Sequence, residues 1–455
     1  MNNNNREFLA TEPVGKLIWK LSIPTVCAQI INMLYNIVDR VYIGHIPETG
    51  ALALTGLGVC FPLLLVVSAF ASLVCAGGAP RASIFLGKKD YEMAEKTLAN
   101  SFVLLIIISL SLSVILSIWH RPLLLAFGAS ENTIEYASAY MKIYSLGTIF
   151  VQLTLGMNAF ITAQGFTKIS MMSVLIGAIS NIILDPIFIF GLGMGVQGAA
   201  LATVLSQGIS MIWVLSFFFR GKGQLRLRRK YMKLESKVIL PAIALGTATF
   251  IMQSTESIIS ICFNSSLLKY GGDIAVGAMT ILASVMQLIM MPTQGFGQGT
   301  SPVISFNYGA GNSSRVKEAF RTLLKINLSF TIIAWSFMML FPKVIVSMFA
   351  TDAALVEFTS RAIRVYLATI CLFGIQMSCQ NTFTAIGSAF SSILVAVMRK
   401  IVLLIPLIYI LPAIFTGDKT TAVYLAEPIA DFLSVCFCSA LFYKQFKKAM
   451  DKICQ

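Results

Sequence analysis

Apolar residues run in stretches of membrane-span length from one end of this chain to the other, parted by short polar segments. A helix needs about 20 consecutive apolar residues to cross hydrocarbon, and a window of that length predicts twelve helices here. In the first half they fall at 16–43, 52–78, 98–118, 134–162, 169–190 and 196–219; in the second at 238–264, 273–299, 320–342, 357–385, 390–414 and 421–443. Pro24, Pro62, Pro241, Pro292 and Pro406 lie inside them, as spanning helices tolerate where neighbours re-satisfy the freed backbone groups. The first stretch is too long for a signal-peptide core and lacks a small-residue cleavage site, so it reads as an uncleaved span. The pattern predicts an all-α polytopic membrane protein.

Composition closes off the soluble alternative. Of 455 residues 57% are hydrophobic and 12% charged, against roughly 25% charged in an ordinary soluble domain. The net charge of +14 does not imply nucleic acid, because the basic residues are read in the loops between the spans rather than along one exposed face. They cluster after the second span (Arg81, Lys88, Lys89, Lys96), after the eighth (Arg315, Lys317, Arg321, Lys325) and between the halves (Arg220, Lys222, Arg226, Arg228, Arg229, Lys230, Lys233, Lys237). All these lie on one side, which the positive-inside rule makes cytoplasmic. Both termini are then cytoplasmic and the protein is expected in a bacterial inner membrane. Nine cysteines without a CxxC pair imply neither disulfides nor a metal site.

The halves repeat each other. Pro24 precedes Asp39 by the same interval by which Pro241 precedes Glu256, and an offset of 222 maps Pro80 to Pro302, Gly87 to Gly309, Phe127 to Phe349, Tyr144 to Tyr366 and Gly165 to Gly387. An insertion near Lys269–Asp273 accounts for the change of register. The division expected is a six-helix lobe over 1–220, a basic cytoplasmic linker over 221–237 and a second lobe over 238–455. Six spans per half make the repeat parallel, about an axis along the membrane normal, and such repeats point to alternating access around a midplane site.

Enzyme signatures are missing from the sequence. The two histidines, His45 and His120, are placed at loop edges, and there is no HExxH, GxSxG or GxxxxGK[ST] pattern. No cofactor is expected, and transport without a nucleotide site runs on an ion gradient or downhill. Ionisable groups at membrane depth point to function by default. Asp39 lies late in the first span and Asp185 late in the fifth, both in the outer half, and Thr203 lies early in the inward-running sixth. Asn181 precedes Asp185 by four residues, and Asn32, Tyr35 and Asn36 precede Asp39 by seven, four and three, intervals that share a helix face. Carboxylates, amides and hydroxyls at one depth suit a hard cation such as Na⁺. They also suit a proton, because low dielectric and like charge favour retaining one between two carboxylates. Pairing of Asp39 with Arg40 is disfavoured, since successive helix residues point about 100° apart. For Glu256, in the Asp39-equivalent position, two readings stand: a second titrating site, or a vestige hydrogen-bonded within its own lobe. Glu427 and Asp431, one turn apart in the last span, are read as structural partners of Arg399 or Lys400.

At these residues the chain resembles the multidrug and toxic compound extrusion (MATE) family of the MOP superfamily. The likeness lies in Pro24 with Val38-Asp39-Arg40-Val41-Tyr42-Ile43-Gly44, then Asn181-Ile182-Ile183-Leu184-Asp185-Pro186, and Gly198-Ala199-Ala200-Leu201-Ala202-Thr203. It covers essentially the whole chain and is nearest to the bacterial branch of DinF- and MepA-like exporters. The resemblance implies a V-shaped pair of six-helix lobes, functional as a monomer among membrane lipids, exporting amphipathic, often cationic, drugs against inward Na⁺ or H⁺. It also implies a cation site on Asp39, Asn181, Asp185 and Thr203, with Tyr35 and Asn158 nearby, and bending of the first helix at Pro24. Another branch of the family pairs an acidic group in the seventh span with an aspartate in the tenth; Glu256 matches the former, but 357–385 has no aspartate. Competing readings are a lipid-linked sugar flippase, which calls for basic residues within the spans, and a passive channel or membrane scaffold.

Overall fold

The computed structural model describes residues 8–221, 223–349, 352–415 and 417–454; Lys222 of the basic run lies outside them. Among the described residues there is no strand. After a short α1 (Phe8–Thr11), the first half contains α2 (Val14–Gly44), α3 (Gly50–Gly87), α4 (Tyr91–Ala126), α5 (Ile134–Ala163), α6 (Thr167–Pro186, continued by a π-turn Ile187–Gly191) and α7 (Val196–Phe219). The second contains α8 (Ser236–Gly309), α9 (Ser313–Leu340), α10 (Pro342–Ser347), α11 (Ala353–Tyr366) and α12 (Ile370–Ala385). It ends with α13 (Ala389–Val397), a π-segment Met398–Leu404, α14 (Ile405–Ile414), α15 (Lys419–Tyr424) and α16 (Ala426–Cys454).

Among the described residues ten helices are long and apolar enough to cross a bilayer, and α11 with α12, bent by 50° at their break, makes an eleventh span. The twelfth comes from α8, whose 74 residues would be about 110 Å long if straight. The chain leaves helical geometry at Gly272, where φ is 64° and ψ is −163°, a combination open to glycine. Both ends of α8 return to the same stretch of α3, Ala242 against Gly77 and Phe306 against Gly87. The break falls in the segment where the repeat changes register. The fold is an all-α bundle of twelve spans.

Three expectations are corrected. The span 357–385 is broken at 367–369 rather than continuous. His120 is not at a loop edge but inside α4, buried, with Nε2 2.9 Å from the Ser138 hydroxyl. Not all basic residues are in loops: Arg399 and Lys400 are buried in mid-span, on the π-segment.

Burial divides the molecule by depth. At the face carrying the interhalf linker, one continuous core joins both halves, including Leu17 and Leu21 of α2, Val74 and Leu86 of α3, Val303 and Ile304 of α8, and Phe383 of α12. At the opposite face there are two separate cores, one around Leu57, Met141 and Ala200 in the first half and one around Leu282, Phe373 and Tyr424 in the second. Halves joined at one face and independently packed at the other leave a cleft between them at the latter.

Glycines let the joined ends close. A Cβ on Gly87 would strike the carbonyl oxygen of Phe306, and one on Gly309 would strike that of Ile84. These two contacts map onto each other by the offset of 222, so the sequence repeat becomes a pseudo-two-fold crossing of α3 and α8. Around Pro24, α2 packs on the returning limb of α8, with Gly295 against Val26, Gly299 against Ser22, and the Thr25 hydroxyl donating to the Gly295 carbonyl at 2.6 Å. Gly87→Val is therefore expected to open the linker face. The measurement is labelling of cysteines introduced beside residue 84; labelling no faster than in the parent would refute the crossing.

Two more features tie the linker face together. Linker residues Gln224 and Leu225 donate their backbone N–H groups to the Gln164 side chain at 2.8 and 3.0 Å, and Arg228 pairs with Glu95 at 2.7 Å. At the start of the chain, Arg315 donates to the carbonyls of Leu9 and Glu12 at 3.2 and 2.6 Å, and Asn307 donates to that of Leu9 at 3.0 Å. Phe8 meanwhile lies against Gly165 of the first half.

Candidate functional site

Three helices of the first half meet near the open end. The late turns of α2 bring in Asp39, the last two turns of α6 bring Asn181 and Asp185, and the second turn of α7 brings Thr203; all four are buried. The Asp39 and Asp185 carboxyls lie within hydrogen-bond reach of each other. Asn181 donates its amide to Asp185 at 3.3 Å and to the Thr203 hydroxyl at 3.5 Å. Small residues make the approach possible: Gly198 of α7 lies against the backbone of Phe188 and Ile189 beyond the end of α6.

Charge balance is the telling property. Among the described residues neither carboxylate has a Lys, Arg or His partner within ion-pair distance. Arg40, the neighbour in sequence, turns away and stacks over the Phe61 ring at 5.2 Å. Asp39 Oδ1, Asp185 Oδ2 and Asn181 Oδ1 are buried acceptors without a donor. Buried polar atoms are nearly always paired, and an unpaired carboxylate is the costliest exception. Three such oxygens converging beside a hydroxyl are the donor set of a hard monovalent cation, and two facing carboxyls are equally able to share a proton.

Tyr35, one turn before Asp39, lies close enough to Asp39, Asp185 and Tyr144 to interact with their charges. Asn32, a turn earlier, is exposed, and Asn36 donates its amide to the Asn32 carbonyl at 2.6 Å. Asn158 is not brought to the pair: its amide donates to the Ser170 carbonyl at 3.3 Å, some eleven residues and about 16 Å of helix rise from Asn181. Two residues the sequence reading passed over belong to the site. The Tyr140 hydroxyl reaches Thr203, and Tyr144 stacks on Tyr140 with ring centroids 6.1 Å apart. Their i, i+4 spacing in the fourth span was the available signal.

Glu256 stands in the other half. Its carboxylate accepts from Lys400 at 2.6 Å, while Arg399 binds Asp431 at 2.7 Å and Glu427 at 3.0 Å and stacks over Phe373 at 5.1 Å. The last-span acids are thus partners of Arg399. The corresponding helices of the two halves, first with fifth and seventh with eleventh, carry an acid–acid pair in one half and an acid–base pair in the other.

A family model described as MatE matches residues 24–187 and 248–447. The chain belongs to the MatE family. Relatives of this MatE member include the multidrug export protein MepA of Staphylococcus haemolyticus (strain JCSC1435), 25% identical over 437 residues that cover 96% of this chain and 95% of that protein. MepA of Staphylococcus aureus (strain NCTC 8325 / PS 47) is 25% identical over 418 residues, 91% of each. Among solved structures, the outward-facing conformation of a multidrug resistance MATE family transporter superposes with a TM-score of 0.90 at 22% identity, covering 99% of this chain and all of that one. A crystal structure of MATE in the straight conformation gives 0.91 at 22% identity with the same coverage. The MatE fold, a multi-pass membrane transporter, agrees with the span count.

Proposed function

We propose that this chain is a secondary antiporter exporting amphipathic, chiefly cationic, organic compounds from a bacterial cell in exchange for inward Na⁺ or H⁺. The coupling ion is held by Asp39, Asp185, Asn181 and Thr203. One observation carries the reading: two buried carboxyls face each other with unpartnered oxygens and, among the described residues, no basic group within ion-pair distance. Such a pair is stable only with a proton or metal cation between the groups, so cation occupancy and the approach of α2 to α6 are coupled. The names of the MepA relatives support the drug-export part.

The basic linker face is the cytoplasmic one by the positive-inside rule, which puts both termini inside and directs the cleft outward. A cation entering from outside neutralises the pair, favours rearrangement of α2 about Pro24, and weakens the hold on a cationic cargo in the cleft; it leaves inward as the halves rock. A one-for-one exchange of cations moves no net charge, so the driving force is the concentration ratio of the coupling ion, about 1.4 kcal/mol per pH unit, enough for uphill export. The protein acts as a monomer in the lipid bilayer.

Purified protein in liposomes, loaded with a fluorescent organic cation and given Na⁺ and pH gradients separately, tests the reading. Dye accumulation driven by at least one gradient is expected. Equilibration without accumulation under both supports a passive channel, and flux of lipid-linked sugar without dye movement supports a flippase.

A further inference from the structure

In the second half, the position equivalent to Asp39 holds an ion pair with Lys400, and its two members differ sharply in exposure. The Lys400 side chain is 5% exposed and that of Glu256 44%. One turn toward the joined face from Glu256, Gln253 bonds Ser72 of the first half at 3.0 Å. Glu256 therefore lies one turn beyond this contact between the halves, toward the side where their cores are separate, and its exposed face is read as opening into the cleft. The buried face touches Lys400.

Behind that pair is a cavity of about 10 Å³ lined by Met252, Phe373, Gln376, Gln380, Arg399 and Lys400, roughly the space of one water. Gln376 Oε1 and Gln380 Oε1 are buried acceptors without a donor, and Arg399 Nη1 is a buried donor without an acceptor. The glutamine amides are fixed in place at least in part, since Gln380 donates to the Ser392 carbonyl and hydroxyl at 3.1 and 2.7 Å. The Lys400 ammonium thus has two sets of partners: the Glu256 carboxylate, which it binds, and unoccupied carbonyl oxygens lining the same cavity. A π-segment, whose looser turn recurs at sites of movement, carries the lysine.

We infer that Glu256 is a docking carboxylate for the charged group of an organic cation, and that Lys400 is a tethered cation competing for it. When cargo arrives, the ammonium withdraws toward Gln376 and Gln380, and Glu256 accepts the cargo's positive group from the cleft. Arg399 remains held by Glu427 and Asp431. This inference rests on the exporter reading and adds the residue that would select positive cargo. It makes the second half the cargo-sensing half, with an internal cation where the first half takes an exchangeable one.

Equilibrium binding of tetraphenylphosphonium to the purified full chain, with neutral triphenylphosphine oxide as the uncharged control, decides it without any ion gradient. Lys400→Gln is expected to tighten the cation's Kd about tenfold, because a charged competitor is gone, and Glu256→Gln to weaken it about tenfold, a factor worth about 1.4 kcal/mol. The double variant E256Q/K400Q, which leaves no unpaired charge and guards against misfolding of the singles, is expected to bind as weakly as Glu256→Gln. The neutral compound should bind all four proteins alike. Equal tetraphenylphosphonium binding by the parent and the double variant overturns the docking role alone. Parallel changes for both compounds also overturn it and make the pair structural. Absence of tetraphenylphosphonium binding to the parent overturns the exporter reading with it.

Discussion

Asp185→Asn is expected to abolish uphill efflux while leaving the protein folded and in the membrane. The side chain keeps its shape, and its new amide can donate to the unpartnered Asp39 oxygen, so the helix contact survives. The pair, however, loses one of its two charges and with it the ability to hold a cation against release. Under a roughly fifty-fold inward gradient of the coupling ion the steady-state cargo gradient should fall from about fifty-fold to none, the loss of about 2.3 kcal/mol of coupling, while downhill equilibration persists. Asp39→Asn should behave alike, and the double variant no worse than either, because the two groups act as one unit. Dye accumulation in proteoliposomes is the readout. Undiminished accumulation in both single variants would sink the coupling site.

The largest effect on stability is expected at Arg399. Its guanidinium is 2% exposed and is the shared partner of Glu427 and Asp431, so Arg399→Met leaves two buried carboxylates without a counter-charge. Removing one member of a buried ion pair typically costs 3–5 kcal/mol, and a steep fall in expression and melting temperature should follow. The same physics predicts rescue: adding Glu427→Gln and Asp431→Asn removes the stranded charges and should recover most of the loss, since an uncharged replacement of a buried ionic cluster is often near neutral. A triple variant as unstable as Arg399→Met would show that Arg399 acts through packing on Phe373 instead.

Span-length hydropathy was enough to anticipate the bundle, because bilayer thickness imposes one length on every crossing. The register change near Lys269–Asp273 marked the turn at Gly272. It did not disclose the break at 367–369, since neither Pro nor Gly marks it and hydropathy is blind to direction. Arg399 and Lys400 were visible as residues but not as interior ones: the apolar residues on either side outweigh two charges in any averaging window. Asp39, Asn181, Asp185 and Thr203 were legible together because helical spacing and chain direction fix both face and depth. Tyr140 and Tyr144 were not, since a tyrosine in an apolar span reads as packing until its position beside other polar groups is seen. For Asn158 the family resemblance offered proximity that the local bonding to Ser170 does not provide.

The anchoring of α1 has a consequence for how the chain is made. Leu9 is held by a guanidinium 306 residues further along the sequence, so α1 has no seat until synthesis has passed Arg315. Phe8 and Leu9 must wait, exposed or guarded by a chaperone, while spans are inserted behind them. The seating of α1 is therefore a late event in assembly, although α1 lies ahead of α2 to α9 in the sequence.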